Sequence, residues 1–186
     1  MKIPLSTKRI ILKKFNKDDV DLLFQLDGDP RVMKFITLGI PRTFEDIKNI
    51  SLPKILNSYK NGQEFGLFAA YVKKTDEFIG WFQFEQDKDI DNAIEIGWRL
   101  KRDCWGNGYA TEVAIALVED GLKMNKMIVA KAMSENKASI RVMEKAGLNF
   151  AEEFWGDYEP HSGNPDVRYE LKQRKLKRGY FLWDGR

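Results

Sequence analysis

Two closely spaced glycines, Gly106 and Gly108, lie in Trp105-Gly106-Asn107-Gly108-Tyr109-Ala110. An apolar run, Ala93 to Leu100, precedes them, and a run with helical periodicity, Thr111 to Met124, follows. Glycine has no Cβ, so such a turn adopts positive φ and brings backbone close to a ligand. A strand, a glycine turn and a helix start together offer unpaired N–H groups and the positive end of a helix dipole, which suits a phosphate or pyrophosphate. The glycine pair alone also fits an ordinary turn. It is neither a Walker A loop, which needs Gly-Lys-Ser/Thr, nor a dinucleotide fingerprint, since Thr111 stands where a third glycine would be.

The elements around that turn belong to a chain of 186 residues, 43% hydrophobic, with a formal charge of +3. The length suits one domain over residues 1–186 with a sizeable core. So small and dispersed an excess of positive charge gives no sign of a nucleic-acid partner. Cys104 is the one cysteine, which excludes an internal disulfide or a multi-cysteine metal site and fits a reducing cytoplasm. His161, the one histidine, stands in the polar loop Glu159-Pro160-His161-Ser162-Gly163, where it is a solvated residue or a substrate contact and not part of a metal centre. The start, MKIPLSTKRIILKKF, has no signal-peptide core, and no segment approaches the ~18 apolar residues of a membrane span. The expectation is a cytoplasmic protein with no membrane partner.

Lys8 to Phe15 reads as a first strand. Asn16 reads as the N-cap of a helix with Asp18 and Asp19 in its first turn, ended by Asp29-Pro30. Residues 31–41 read as a helical turn and loop. Thr43 and Asp46 have capping-box spacing for a second helix to Tyr59, kinked or split at Pro53. Phe65 to Val72, Phe78 to Phe84 and Ala93 to Leu100 form a meander. A helix over Thr111 to Met124 and a strand over Met127 to Met133 follow. Asn136 as N-cap and Gly147 as C′ residue then frame a helix of about ten residues. Leu148 to Trp155 and Val167 to Gln173 pair as the last strands, before a basic, aromatic tail from Arg174. This mixed order predicts an α/β (α+β) fold with one sheet and helices on both faces.

Three motifs carry a resemblance to a known family: Glu95-Ile96-Gly97-Trp98, then Trp105 to Glu112, then Asn136 to Gly147. With the start Arg9-Ile10-Ile11-Leu12-Lys13, the chain resembles the GNAT superfamily of acetyl-CoA-dependent N-acetyltransferases over nearly its whole length. It is most similar to the branch that acetylates ribosomal-protein N-termini, the RimJ/RimL type. One departure is Asp103, where the family pattern often has Arg or Gln. The resemblance implies a largely antiparallel sheet of seven strands whose fourth and fifth splay apart for the cofactor. It further implies that the pantetheine arm pairs with backbone at Trp98, Arg99 and Leu100, and that the pyrophosphate meets the N–H groups of Trp105, Gly106, Asn107, Gly108, Tyr109 and Ala110. A Cβ placed at Gly108 should then enter that cradle. Asn136 should touch pantetheine or neighbouring backbone. Lys101, Arg102, Lys137 and Arg141 are candidates for the adenosine 3′-phosphate and outer pyrophosphate, although for any one of them a solvated surface charge is the first reading.

Acetyl transfer needs a neutral amine, a donor to the developing oxyanion and a proton for the departing thiolate. A protein α-amino group has a pKa of ~8, so a weak base acting through water suffices. Glu95 is the candidate base, because Glu95, Gly97 and Arg99 share one strand face and Ile94, Ile96 and Trp98 the other. Its alternative is an ion pair with a basic neighbour such as Arg99 on the same face. The family resemblance makes Ser139 the candidate acid, against an ordinary polar residue in a helix's first turn. A backbone N–H near Trp98 would hold the oxyanion, and Cys104 is a bystander. Trp81, Phe82, Phe84, Trp98, Trp155 and Tyr158 line an acceptor groove or fill the core. The implied partners are acetyl-CoA and an amine, either a protein N-terminus or a small amine, with the chain a monomer or homodimer. A non-catalytic acyl-CoA-binding domain is the reading from another class.

Overall fold

The computed structural model describes residues 5–61, 64–156 and 163–172. Tyr158, His161 and the tail from Arg174 lie outside the described residues. Seven strands are present: β1 (Ile10–Lys14), β2 (Gly66–Val72), β3 (Glu77–Gln86), β4 (Ala93–Leu100), β5 (Met127–Met133), β6 (Asn149–Phe154) and β7 (Asp166–Leu171). They form one sheet in the order β1-β2-β3-β4-β5-β7-β6. Every neighbouring pair is antiparallel except β4 and β5. That parallel pairing covers only Ala93 with Met127, Ile94 with Ile128 and Glu95 with Val129. Beyond it β4 stays on β3 as far as Leu100, while β5 stays on β7 to Met133. The two central strands therefore part, as the family resemblance implies.

Alternation along the strands builds two cores. Phe68 and Ala70 of β2 pack with Val113, Leu117 and Val118 of α4 (Tyr109–Lys123) and Met143 of α5 (Lys137–Lys145). Ala69, between them, joins Leu23 and Leu26 of α1 (Val20–Asp27) and Leu52 and Ile55 of α3 (Leu52–Ser58) on the opposite face. Strand β3 changes phase once. Ala70 pairs with Gly80 and Tyr71 with Phe78, leaving Ile79 unpaired as a bulge. Gly80 takes φ +138°, and a Cβ there would stand 2.1 Å from the Arg99 carbonyl oxygen.

The starts of two helices, α1 and α4, differ in detail from the expectation. Asp19, not Asn16, precedes α1. The backbone N–H and Nδ2 of Asn16 donate to Asp19 Oδ2 at 2.8 and 2.7 Å, and Asn16 Oδ1 accepts from the Asp18 N–H at 2.8 Å. Residues 16–19 thus close on themselves as a turn, and the helix begins after it. The Thr43–Asp46 capping box forms and opens α2 (Phe44–Asp46). Just ahead of Pro53 the helical run is divided. It widens into a π-helical segment, Ile47–Ser51, so that Pro53 becomes the second residue of α3, where its missing N–H is tolerated. Helix α4 begins at Tyr109, two residues ahead of Thr111, because Gly108 at φ +76° turns the chain directly into it. Among the described residues no helix is long and apolar enough to cross a membrane.

Candidate functional site

The parting of β4 and β5 leaves backbone groups of β4 without strand partners. At the two ends of the β3–β4 ladder the Asp87 N–H donates to Ala93 O at 3.0 Å and the Lys101 N–H to Ile79 O at 2.8 Å. In an antiparallel ladder every second residue bonds the same neighbour, so Ala93, Glu95, Gly97, Arg99 and Lys101 turn toward β3. Ile94, Ile96, Trp98 and Leu100 turn toward β5. Ile94 and the Ile96 N–H still meet β5, but the Ile96 C=O and the N–H and C=O of Trp98 face the gap. The Leu100 carbonyl accepts from the Trp105 indole N–H at 2.8 Å.

A cleft of about 370 Å³ opens there. Of the expected contacts, Trp98, Arg99, Leu100, Trp105, Gly106, Gly108, Tyr109, Ala110, Asn136, Ser139 and Arg141 line it. Asn107 does not. The Trp105 N–H donates to Arg102 O at 3.0 Å and is engaged within the loop. From Gly106 through Thr111 the backbone N–H groups have no acceptor among the described residues, and Glu112 is the first to close back, onto Gly108 O at 3.0 Å. The anion cradle therefore runs from Gly106 to Thr111, at the start of a 15-residue helix. A Cβ on Gly108 would point not into it but toward Arg9 Nη2, 3.6 Å away.

Asn136 Oδ1 accepts from the Ser139 N–H at 3.2 Å, so its side chain caps α5. The Ser139 hydroxyl has no partner among the described residues. Of the four cation candidates, Arg141 lines the cleft, whereas Lys101 pairs with Glu77 at 3.7 Å and Lys137 Nζ donates to Ser134 O at 2.7 Å. Lys145, one helical turn after Arg141, also lines it, and the i, i+4 spacing is the signal that could have found it. Arg31, Val32, Phe35 and Ile36 contribute a wall from the loop after α1, for which the sequence carries no local signal.

Glu95 stands at the last residue before the strands part and does not line this cleft. Its carboxylate lies 3.5 Å from Lys131 Nζ, and not on Arg99. Burial pushes its pKa above the ordinary value, with Lys131 opposing. Glu85, directly across on β3, is raised in the same way by burial. Burial also opposes the Lys131 charge, but Asp87 at 2.9 Å and Asp89 at 3.0 Å, with Glu95, hold its ammonium well above the ordinary value. Arg99 instead pairs with buried Asp27, Nη1 to Oδ1 at 2.5 Å, and lies 4.9 Å over the Trp81 ring. Cys104 is buried and its thiol is pushed up by burial, which disfavours the thiolate. Phe82 and Phe84 are core residues and Trp155 is exposed.

An acetyltransferase (GNAT) domain model matches residues 9–149. The chain is 32% identical over 164 residues to the uncharacterized N-acetyltransferase p20 of Bacillus licheniformis, covering 86% of this chain and 89% of that protein. It is 26% identical to an FsC-acetyl coenzyme A-N(2)-transacetylase of Aspergillus fumigatus, covering 94% of this chain and 78% of that one. Among solved structures, the RimL ribosomal L7/L12 alpha-N-protein acetyltransferase, in complex with coenzyme A, superposes with a TM-score of 0.76 at 16% identity, over 92% of this chain and 98% of that one.

Proposed function

The chain belongs to the GNAT acetyltransferase family, and from that premise we propose that it acetylates the N-terminal amine of a protein. It is an acetyl-CoA-dependent N-acetyltransferase. The residues present fit that cosubstrate: the free N–H groups from Gly106 to Thr111 suit its pyrophosphate, and the gap beside Trp98 suits its pantetheine arm. When bound, acetyl-CoA supplies an acetyl group activated as a thioester. In the proposed mechanism Glu95, reaching the amine through water, takes its proton. The Trp98 N–H, aimed into the gap, is the donor for the acetyl oxygen. The unengaged Ser139 hydroxyl delivers a proton to the sulfur. The transfer is direct and leaves Cys104 unmodified.

The observation that carries the acetyl-transfer reading is the unbroken run of free N–H groups at the mouth of the β4–β5 gap. The acceptor rests on the three motifs shared with the RimJ/RimL branch and on the fold likeness to RimL. A small amine is the second reading. The carboxylates of Glu95, Asp87 and Asp89 around Lys131, with Glu85 across from Glu95 on β3, favour a cationic acceptor, and the Aspergillus fumigatus relative bears the name of a transacetylase acting on FsC. The test offers radiolabelled acetyl-CoA with peptides having free or blocked α-amines, amino acids and polyamines. We expect label on free peptide N-termini and none on blocked ones. Label on small amines alone overturns the protein acceptor, and binding with no transfer to any amine supports the non-catalytic domain.

A further inference from the structure

We propose that Arg9 is a positioning residue for the anion cradle: its guanidinium holds the Asn107 carbonyl behind the glycine turn, so that the Gly108 N–H faces the ligand. The inference rests on the reading that residues Gly106 to Thr111 hold the coenzyme pyrophosphate. Arg9 precedes β1 and lies 98 residues from Asn107 in the chain, yet Arg9 Nη1 donates to Asn107 O at 3.0 Å. The rest of the side chain is braced on the first turn of α4. Its Nε donates to Glu112 Oε2 at 2.6 Å, and its guanidinium lies 4.6 Å over the Tyr109 ring. The Arg9 backbone N–H and the Thr7 hydroxyl both donate to Glu112 Oε1, at 2.7 and 2.6 Å.

A trans peptide is planar, with its C=O and N–H pointing in opposite directions. Drawing the Asn107 C=O toward Arg9 therefore turns the Gly108 N–H away from Arg9. The lining of the cleft agrees, since from Trp105 to Thr111 only Asn107 is missing from it. Glycines on both sides of Asn107 leave the turn free to rotate this peptide, and a flipped unit would aim a carbonyl at the phosphates. Because Glu112 already neutralises Arg9, the role is orientation and not added charge. A lysine could pair with Glu112 but has no planar fork to reach both Glu112 and the Asn107 carbonyl.

The test titrates desulfo-coenzyme A into the native protein, Arg9→Gln and Arg9→Lys, and compares turnover of acetyl-CoA with that of acetyl-pantetheine, which carries the same acyl arm without the pyrophosphate. We expect Kd for desulfo-coenzyme A and KM for acetyl-CoA to rise about tenfold in both variants, the size of one charge-assisted hydrogen bond. Saturated kcat should stay within about twofold, and kcat/KM for acetyl-pantetheine should not fall, because the loss is in binding the pyrophosphate and not in the chemical step. Native affinity in Arg9→Lys, or an equal loss for acetyl-pantetheine, overturns the assignment. If the native protein does not bind desulfo-coenzyme A, the cradle reading fails first, and the role of Arg9 with it.

Discussion

Glu95 and Arg99 share a strand face four residues apart, and their carboxylate and guanidinium nonetheless find different partners. Arg99 reaches Asp27 on α1, while Glu95 meets Lys131 across the β4–β5 pair. As the proposed base, Glu95 must be ionised, and burial raises its pKa above 4.5. Activity should therefore fall as pH drops through that raised value, giving an acid limb above the ordinary carboxylate range. Lys131→Met removes the cation that opposes the shift, so the limb should move to higher pH in a kcat/KM profile. Glu95→Gln should cost about 10²-fold or more in kcat/KM and abolish the limb. It should not lower the melting temperature, because a partly desolvated charge is removed while Lys131 keeps Asp87 and Asp89. A Glu95→Gln profile that retains the native limb would exclude Glu95 as its source.

At the scale of elements, the bulge at Ile79 and Gly80 decides how β3 carries its neighbour. It places Trp81 beneath Arg99 and Phe82 in the opposite core, and it seats Gly80 against the Arg99 carbonyl. Gly80→Ala would add a Cβ 2.1 Å from that oxygen at a backbone angle of φ +138°. Strain and overpacking together should destabilise the fold by about 2–5 kcal/mol. Urea denaturation reads this directly, and a native midpoint would show that β3 and β4 separate more easily than their register implies.

For the whole molecule, the site exists because two strands that begin as neighbours end with different partners. One core, with Ile94 and Ile96 of β4 and Ile128 and Ala130 of β5, joins the two strands where they pair, while β3 holds the far end of β4 and β7 the far end of β5. Coenzyme A, binding only the folded chain, should therefore stabilise it by mass action. At 100 times Kd the gain is about 2.7 kcal/mol, or roughly 5–11 °C in melting temperature for a chain of this size. Differential scanning calorimetry with desulfo-coenzyme A checks it. A shift of comparable size from an equal concentration of inorganic pyrophosphate would assign the gain to the cradle alone.

Much of this arrangement is written in local pattern. The apolar run Ala93 to Leu100 became β4 without change of boundary, Met127 to Met133 became β5, and Asn136 and Gly147 frame α5 where their capping chemistry requires. The glycine turn announced an anion site because φ above zero and free N–H groups are properties of a few consecutive residues. Other features depended on contacts that no window of sequence contains. Asn16 was drawn into a turn by Asp19, a Cβ at Gly108 faces Arg9, and Glu95 is partnered by Lys131 and not Arg99. The wall from Arg31 to Ile36 and the latch of Arg9 on Asn107 join segments far apart in the chain. Backbone propensity acts over a few residues and so is legible in sequence. Which side chains meet is set by how helices and strands pack, and only the tertiary structure decides that.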